Sequence, residues 1–277
     1  FRLLSMILVI FLVLGLAAVV PHENASAATL PRVNKTADTN DGSCTEADCS
    51  LREAIAAAGT TATILFTPSL AGQTITLGSQ LVIDKNLTID NSDNSSRITI
   101  SGGSAYRIFQ VNNGKSLTLR NFNLGNGKPA SSGDGGAILN EGGSVTIYDV
   151  YFYNNVATIG GAIRTNGGTI TIFRADFFGN LSTSTGGKGG AIFNDAGTLI
   201  IHDSDFGYNQ ADFDGGAIYN YGTLEVNGSS FHNNQTILYK GGGIFSSGSA
   251  TITNSTFLSN SAENGGGIFM HGGASLT

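Results

Sequence analysis

The 277-residue chain contains no tryptophan, only two cysteines and only four prolines. All four prolines (Pro21, Pro31, Pro68, Pro129) lie in the first half. Every residue after Pro129 therefore keeps its backbone N–H, as suits a sheet in which each strand donates to a neighbour. Charged side chains are scarce, at 12 %, and Asn, Ser and Thr carry the polarity instead. Basic residues thin out most. Residues 130–277 hold four Lys/Arg against eleven Asp/Glu, whereas residues 1–129 hold ten against nine. With a net charge of −6 and no basic stripe, neither nucleic acid nor an anionic membrane surface is an expected partner.

Familiar catalytic signatures are missing as well. There is no G-x-S-x-G, no Walker-type G-x-x-x-x-G-K-S/T and no H-E-x-x-H. Gly186-Gly-Lys188-Gly-Gly190 lacks the Ser/Thr of a phosphate loop and reads as a bulged corner. His202, His232 and His271 fall at different repeat positions without a recurring partner, and read as solvent-facing. Asp38, Asn40 and Asp41 before Gly42 offer oxygen ligands of the type calcium takes. Their spacing is not that of an EF-hand loop, and a capped turn explains them as well. No metal site and no cofactor is expected.

Residues Met6–Val20 form a 15-residue apolar run, with Arg2 before it and Ala25-Ser26-Ala27 after it. A short apolar core ending in an A-x-A site reads as a secretory signal peptide over residues 1–27. The run is shorter than the roughly 20 residues a spanning helix needs, which argues against a retained anchor. The first residue is Phe, so the start of the signal is expected to lie upstream. In an exported chain, Cys44 and Cys49 are expected to close one small disulfide loop. A zinc site would need two further ligands, and no His lies nearby.

Glycine is abundant, with 39 residues, about twice the usual share. Much of it falls in a repeat. Gly-Gly-Ala/Gly-Ile begins at Gly135, Gly160, Gly189, Gly215, Gly241 and Gly265, at spacings of 25, 29, 26, 26 and 24 residues. Phe-x-x-Asn alternates with it: Phe152/Asn155, Phe177/Asn180, Phe206/Asn209, Phe231/Asn234 and Phe257/Asn260. Between them sit β-patterned triplets such as Val145-Thr-Ile147 and Ile170-Thr-Ile172. Weaker triplets at Ile64–Phe66, Leu87–Ile89 and Leu117–Leu119 carry the series back. A period near 25 is too short for a propeller blade and fits one coil of a solenoid.

The fold expected is all-β: a right-handed, single-stranded parallel β-helix of about eight coils over residues 60–277. In such a helix one repeat position becomes one column along the axis. The five Phe should stack inside, with small residues (Val150, Ala175, Ser204, Ser229, Ser255) two positions before them. The Asn column should form an amide ladder at corners of positive φ, and the glycine pairs should fill the other corners. Residues 28–59 should cap the helix. Ser50 and Glu53 form a capping box, Gly59 fits the C′ position, and Leu51, Ala54, Ile55 and Ala58 share one face. Leu276-Thr277 begins another triplet, so the natural protein is expected to continue beyond an uncovered coil.

Asp38-Thr-Asn-Asp-Gly42, Cys44 and Cys49-Ser-Leu-Arg-Glu-Ala-Ile55 together resemble the CSLREA domain of exported bacterial repeat proteins. The Gly-Gly-Ala-Ile and Phe-x-x-Asn motifs resemble the polymorphic outer membrane protein repeats, with Gly243 and Gly267 in place of the Ala. The two resemblances together span roughly residues 33–277. They imply an exported cell-surface, outer-membrane or extracellular β-helix of the adhesin type, with glycans or proteins of host or neighbouring cells as partners. Membrane association would come only through an anchor or barrel outside this sequence.

Two outward clusters follow from the columns. Tyr148, Phe173 and His202 should share one column just after the triplet, with Tyr151, Tyr153 and Phe178 close by; Tyr148, Tyr151, Phe173 and His202 are the candidate binding residues. Cross-strand stacking that merely stabilises the surface is the alternative. Asp176 and Asp205 should lie about 4.8 Å apart, beside a column of Asp149, Arg174 and Asp203. Paired carboxylates are what a glycoside hydrolase or polysaccharide lyase would use. An ion-pair column relieved by Arg174 accounts for the same residues, and a non-enzymatic role is the expectation.

Overall fold

A computed structural model describes residues 32–130, 133–183 and 186–272; the signal-peptide reading and the final Leu276-Thr277 triplet fall outside them. The described residues form a parallel β-helix of about eight coils, with one short α-helix before its first coil. Each coil contributes a strand to each of three long sheets, and every pairing is with the equivalent strand of the next coil.

One coil shows the path. Ser144–Tyr148 belongs to the first sheet, Tyr151–Tyr153 to the second, and Ile163–Thr165 to the third. A two-residue strand, Val156–Ala157, joins a smaller fourth sheet that spans four coils. Parallel pairing brings Val145 opposite Ile170, Phe152 opposite Phe177 and Ile163 opposite Ile192. Residues 25 to 29 apart in sequence thus become neighbours. The alternation of each strand sends Val145, Ile147, Phe152 and Ile163 fully inside.

The interior aromatic column is present. Phe152, Phe177, Phe206, Phe231 and Phe257 stack with ring centroids 4.5, 4.6, 4.7 and 4.8 Å apart and planes within 5° of parallel. Val150, Ala175, Ser204 and Ser229 sit beneath them as small inward residues. The Asn column is a continuous amide ladder, but its corner differs from expectation by one residue. Positive φ falls on the preceding positions, Asn154, Gly179, Tyr208, Asn233 and Ser259, not on the Asn itself. The reason is the ladder: each ladder Asn points its amide inward, and the residue before it makes the turn.

A second turn of this kind separates the first sheet from the second. Asn121, Asp149, Arg174, Asp203, Gly228 and Asn254 all adopt positive φ there. Asn and Asp tolerate that region better than other side-chain-bearing residues, which explains part of this column without chemistry. The glycine pairs fill the remaining corner. Gly189 has φ +65°, and a Cβ on Gly190 would lie 2.1 Å from the carbonyl oxygen of Gly216 in the next coil.

The helix Leu51–Ala57 closes the N-terminal end, with Leu51, Ala54 and Ile55 buried over the first coil. Ser50 and Glu53 form the reciprocal capping box, and Cys44 and Cys49 are joined. Gly59 occupies C′ but lacks the positive φ that would require glycine. Lys85 ends the helix instead: its ammonium lies 3.1–3.2 Å from the carbonyl oxygens of Ile55, Ala56 and Ala58. Asp38 is held by Arg52 at 2.7 and 2.9 Å and accepts from the Gly78 N–H at 2.8 Å. Among the described residues, no group of three or more His, Cys, Asp or Glu is placed to hold a metal ion.

Candidate binding face

The first sheet places Tyr148, Phe173 and His202 at the ends of three consecutive paired strands. Their rings stack outward at centroid distances of 5.0 Å in both steps, with planes 6° and 14° apart. The guanidinium of Arg120, one coil earlier, lies 4.1 Å over the Tyr148 ring and extends the stack. All three rings are partly exposed. Tyr151 is not in this stack. It lies on the second sheet, around the Asp149 corner, and stacks on Tyr153 at 5.3 Å. Burial raises the pKa of the Tyr151 phenol, and the carboxylate of Asp176 adds to the shift.

Beside it run the acids. Asp176 and Asp205 occupy equivalent positions on adjacent strands. Burial pushes the Asp176 carboxyl upward; Arg97, at 3.8 Å, opposes the shift and Asp205 reinforces it. Asp149 is bound by both Nε and a terminal nitrogen of Arg174, at 2.8 and 2.9 Å, which holds its carboxyl below the usual carboxylate range.

His232 has partners that its repeat position does not suggest. Its Nε2 lies 3.0 Å from an Asp205 oxygen, and the Asn233 amide donates to Nδ1 at 3.1 Å. With Nδ1 accepting, the proton sits on Nε2 and points at the carboxylate. The imidazole lies over Gly207, where a Cβ would come within 2.5 Å of the ring. The histidine faces outward and is partly exposed, as its position suggests, but it also pairs with an acid of the neighbouring coil.

A further aromatic cluster escapes the Phe-x-x-Asn register. On the outer face of the third sheet, Phe193, Tyr219, Phe245 and Phe269 stack at 5.2, 4.6 and 5.6 Å. Phe193, Tyr219 and Phe245 are at most 4 % exposed although they lie outside the helix interior. The corner loops carrying Phe213 and Tyr239 line the same flank, their rings 4.3 Å apart. Lys188 reaches the phenol oxygens of Tyr219 and Tyr221 at 3.4 and 3.3 Å, so the Gly186–Gly190 corner serves this cluster. The signal in the sequence is an aromatic after the motif's Ile in four successive repeats.

No family model, no curated protein and no solved structure matches the chain. Among the described residues, no helix is long and apolar enough to cross a membrane.

Proposed function

We propose that this β-helix is an exported, surface-displayed or secreted adhesin-like scaffold, and that its outward rings meet glycans or proteins of other cells. One observation carries the proposal: Tyr148, Phe173 and His202 form a parallel, partly exposed stack on a rigid sheet. Ring edges held in register present apolar area and hydrogen-bonding tips with little conformational entropy to lose. The apolar run and A-x-A site at the N-terminus, and the resemblance to outer membrane protein repeats, support export and display. Binding of the purified chain to cells and to a glycan panel tests this reading. Tyr148→Ala with Phe173→Ala should abolish the cell binding; unchanged cell binding in that double variant sinks it.

A catalytic reading is favoured by one feature, the raised pKa of Asp176 next to Asp205. An acid and a carboxylate at a one-coil separation are the parts of a polysaccharide hydrolase or lyase. Against it, Asp149 is ion-paired to Arg174 and Asp205 accepts a hydrogen bond from His232, as in a structural column. Depolymerisation of polygalacturonate, alginate or a neutral glycan, lost on Asp205→Asn, would establish the catalytic reading.

A further inference from the structure

The flank that carries Tyr219 and Phe245 contains a cleft of about 330 Å³. That volume falls within the range of small-molecule sites. Five rings wall it: Phe213, Tyr219, Tyr221, Tyr239 and Phe245. No aliphatic side chain lines it; the rest of the wall is Asp214, Lys240, Ser247 and His271.

Three features point to a ligand rich in hydroxyl groups. The Ser247 hydroxyl is buried and has no hydrogen-bond partner among the described residues, which costs free energy unless something completes it. Asp214 accepts the Lys240 N–H at 3.1 Å through one oxygen, and burial raises its carboxyl. The Tyr219 and Tyr221 phenol oxygens accept from Lys188 and the two phenols hydrogen-bond to each other, which leaves one O–H of the pair to donate. Tyr221 and Tyr239 remain 45 % and 40 % exposed, so two ring walls stand unburied where solvent enters.

We infer that this cleft binds one unit of a neutral saccharide chain. A pyranose presents flat C–H faces for the rings and equatorial hydroxyls for Asp214, Ser247 and the phenols. A fatty chain would strip water from Asp214 and Lys240 and return no hydrogen bonds. The two lysines beside the cleft hold their ammonium groups over the rings of Tyr219 and Phe269, so an anionic sugar or a nucleotide would find them engaged and would meet the Asp214 carboxylate. The inference rests on the binding-scaffold reading but uses a different sheet from the Tyr148 column.

Isothermal titration of the whole chain with cellohexaose, chitohexaose and laminarihexaose tests it, with polygalacturonate as the acidic comparison. At least one neutral hexaose should bind, and Tyr239→Ala and Tyr221→Ala should each weaken it about tenfold. Both rings are exposed enough to be truncated without unfolding the coil. Tyr106→Ala, an exposed ring that belongs to neither site, should leave that binding unchanged. The inference is overturned if no neutral hexaose binds, if only polygalacturonate binds, or if the cleft variants bind as the parent does. Saccharide binding lost only on Tyr148→Ala overturns the cleft and leaves the binding face standing. Cell binding without any hexaose binding does the same.

Discussion

The side-chain oxygen of Asn180 accepts two hydrogen bonds from Asn155 of the previous coil, from its backbone N–H at 3.1 Å and from its amide at 3.0 Å. Asn180 in turn donates to the Phe152 carbonyl at 3.0 Å and to Asn209 at 2.9 Å. One buried amide therefore satisfies four groups on the two neighbouring coils. Asn180→Ala leaves two donors and a carbonyl unpaired in the interior, and should cost at least about 3 kcal/mol. Urea unfolding should show a large fall in midpoint for Asn180→Ala and a much smaller one for Asn154→Ala, whose side chain is exposed and whose positive φ costs alanine about 1 kcal/mol. Equal midpoints would mean that the ladder contributes nothing.

The two aromatic columns should differ in what they contribute. Phe206 is fully buried between Phe177 and Phe231, so Phe206→Ala should destabilise the chain by about 3–5 kcal/mol. Phe173 stacks on Tyr148 and His202 at the surface. Its truncation should cost no more than about 1 kcal/mol, the scale of a cross-strand pair. Thermal melts of the two variants decide this. Comparable losses would make the outer stack a structural brace and remove the argument that it is kept for binding.

Glycine corners give a paired test of backbone geometry. A Cβ at Gly190 would meet the Gly216 carbonyl oxygen at 2.1 Å and the Gln210 backbone at 2.6 Å. Backbone atoms on both sides cannot give way, so Gly190→Ala should open the coil and cost several kcal/mol, on the scale of severe overpacking (~1–3 or more). Gly59 has open space around it and no positive φ. Gly59→Ala should therefore be neutral or stabilising by up to about 1 kcal/mol, because it restricts the unfolded chain. Matched melting curves for the two alanine variants would contradict both statements.

The columns were legible because a solenoid converts repeat position directly into spatial position. Phe152 over Phe177, and Tyr148 over Phe173, need only the spacing of the motifs. The Asn ladder was legible for the same reason, but the turn residue before it was not, since Asn154, Gly179, Tyr208 and Ser259 share no chemistry. The Tyr219 cleft was hidden for a different reason. Two of its five rings, Phe213 and Tyr239, come from corner loops that sit outside the repeat register. Lys85 against the end of the cap helix, and His232 against Asp205, likewise join positions that no repeat relates.

The cap should respond to acid through Glu53, which is 2 % exposed. Burial alone would raise its carboxyl. The N–H groups of Ser50 and Asp41, the Thr39 hydroxyl and Lys35 outweigh burial and bring it down to about 2 from an ordinary 4.5. A depressed carboxyl contributes stability that is complete above its unfolded pKa and disappears as pH falls through the folded one. The window thus runs from about pH 4.5 down to about 2, and roughly 3 kcal/mol is lost across it. Amide exchange along Leu51–Ala57 should accelerate over that interval, while exchange in the Ile170–Ile172 strand responds less. Glu53→Gln retains one acceptor oxygen but has no proton to take up. Its cap should be weaker at neutral pH and insensitive to acid over the same range; a Gln variant with the parent's acid profile would assign the transition to another group.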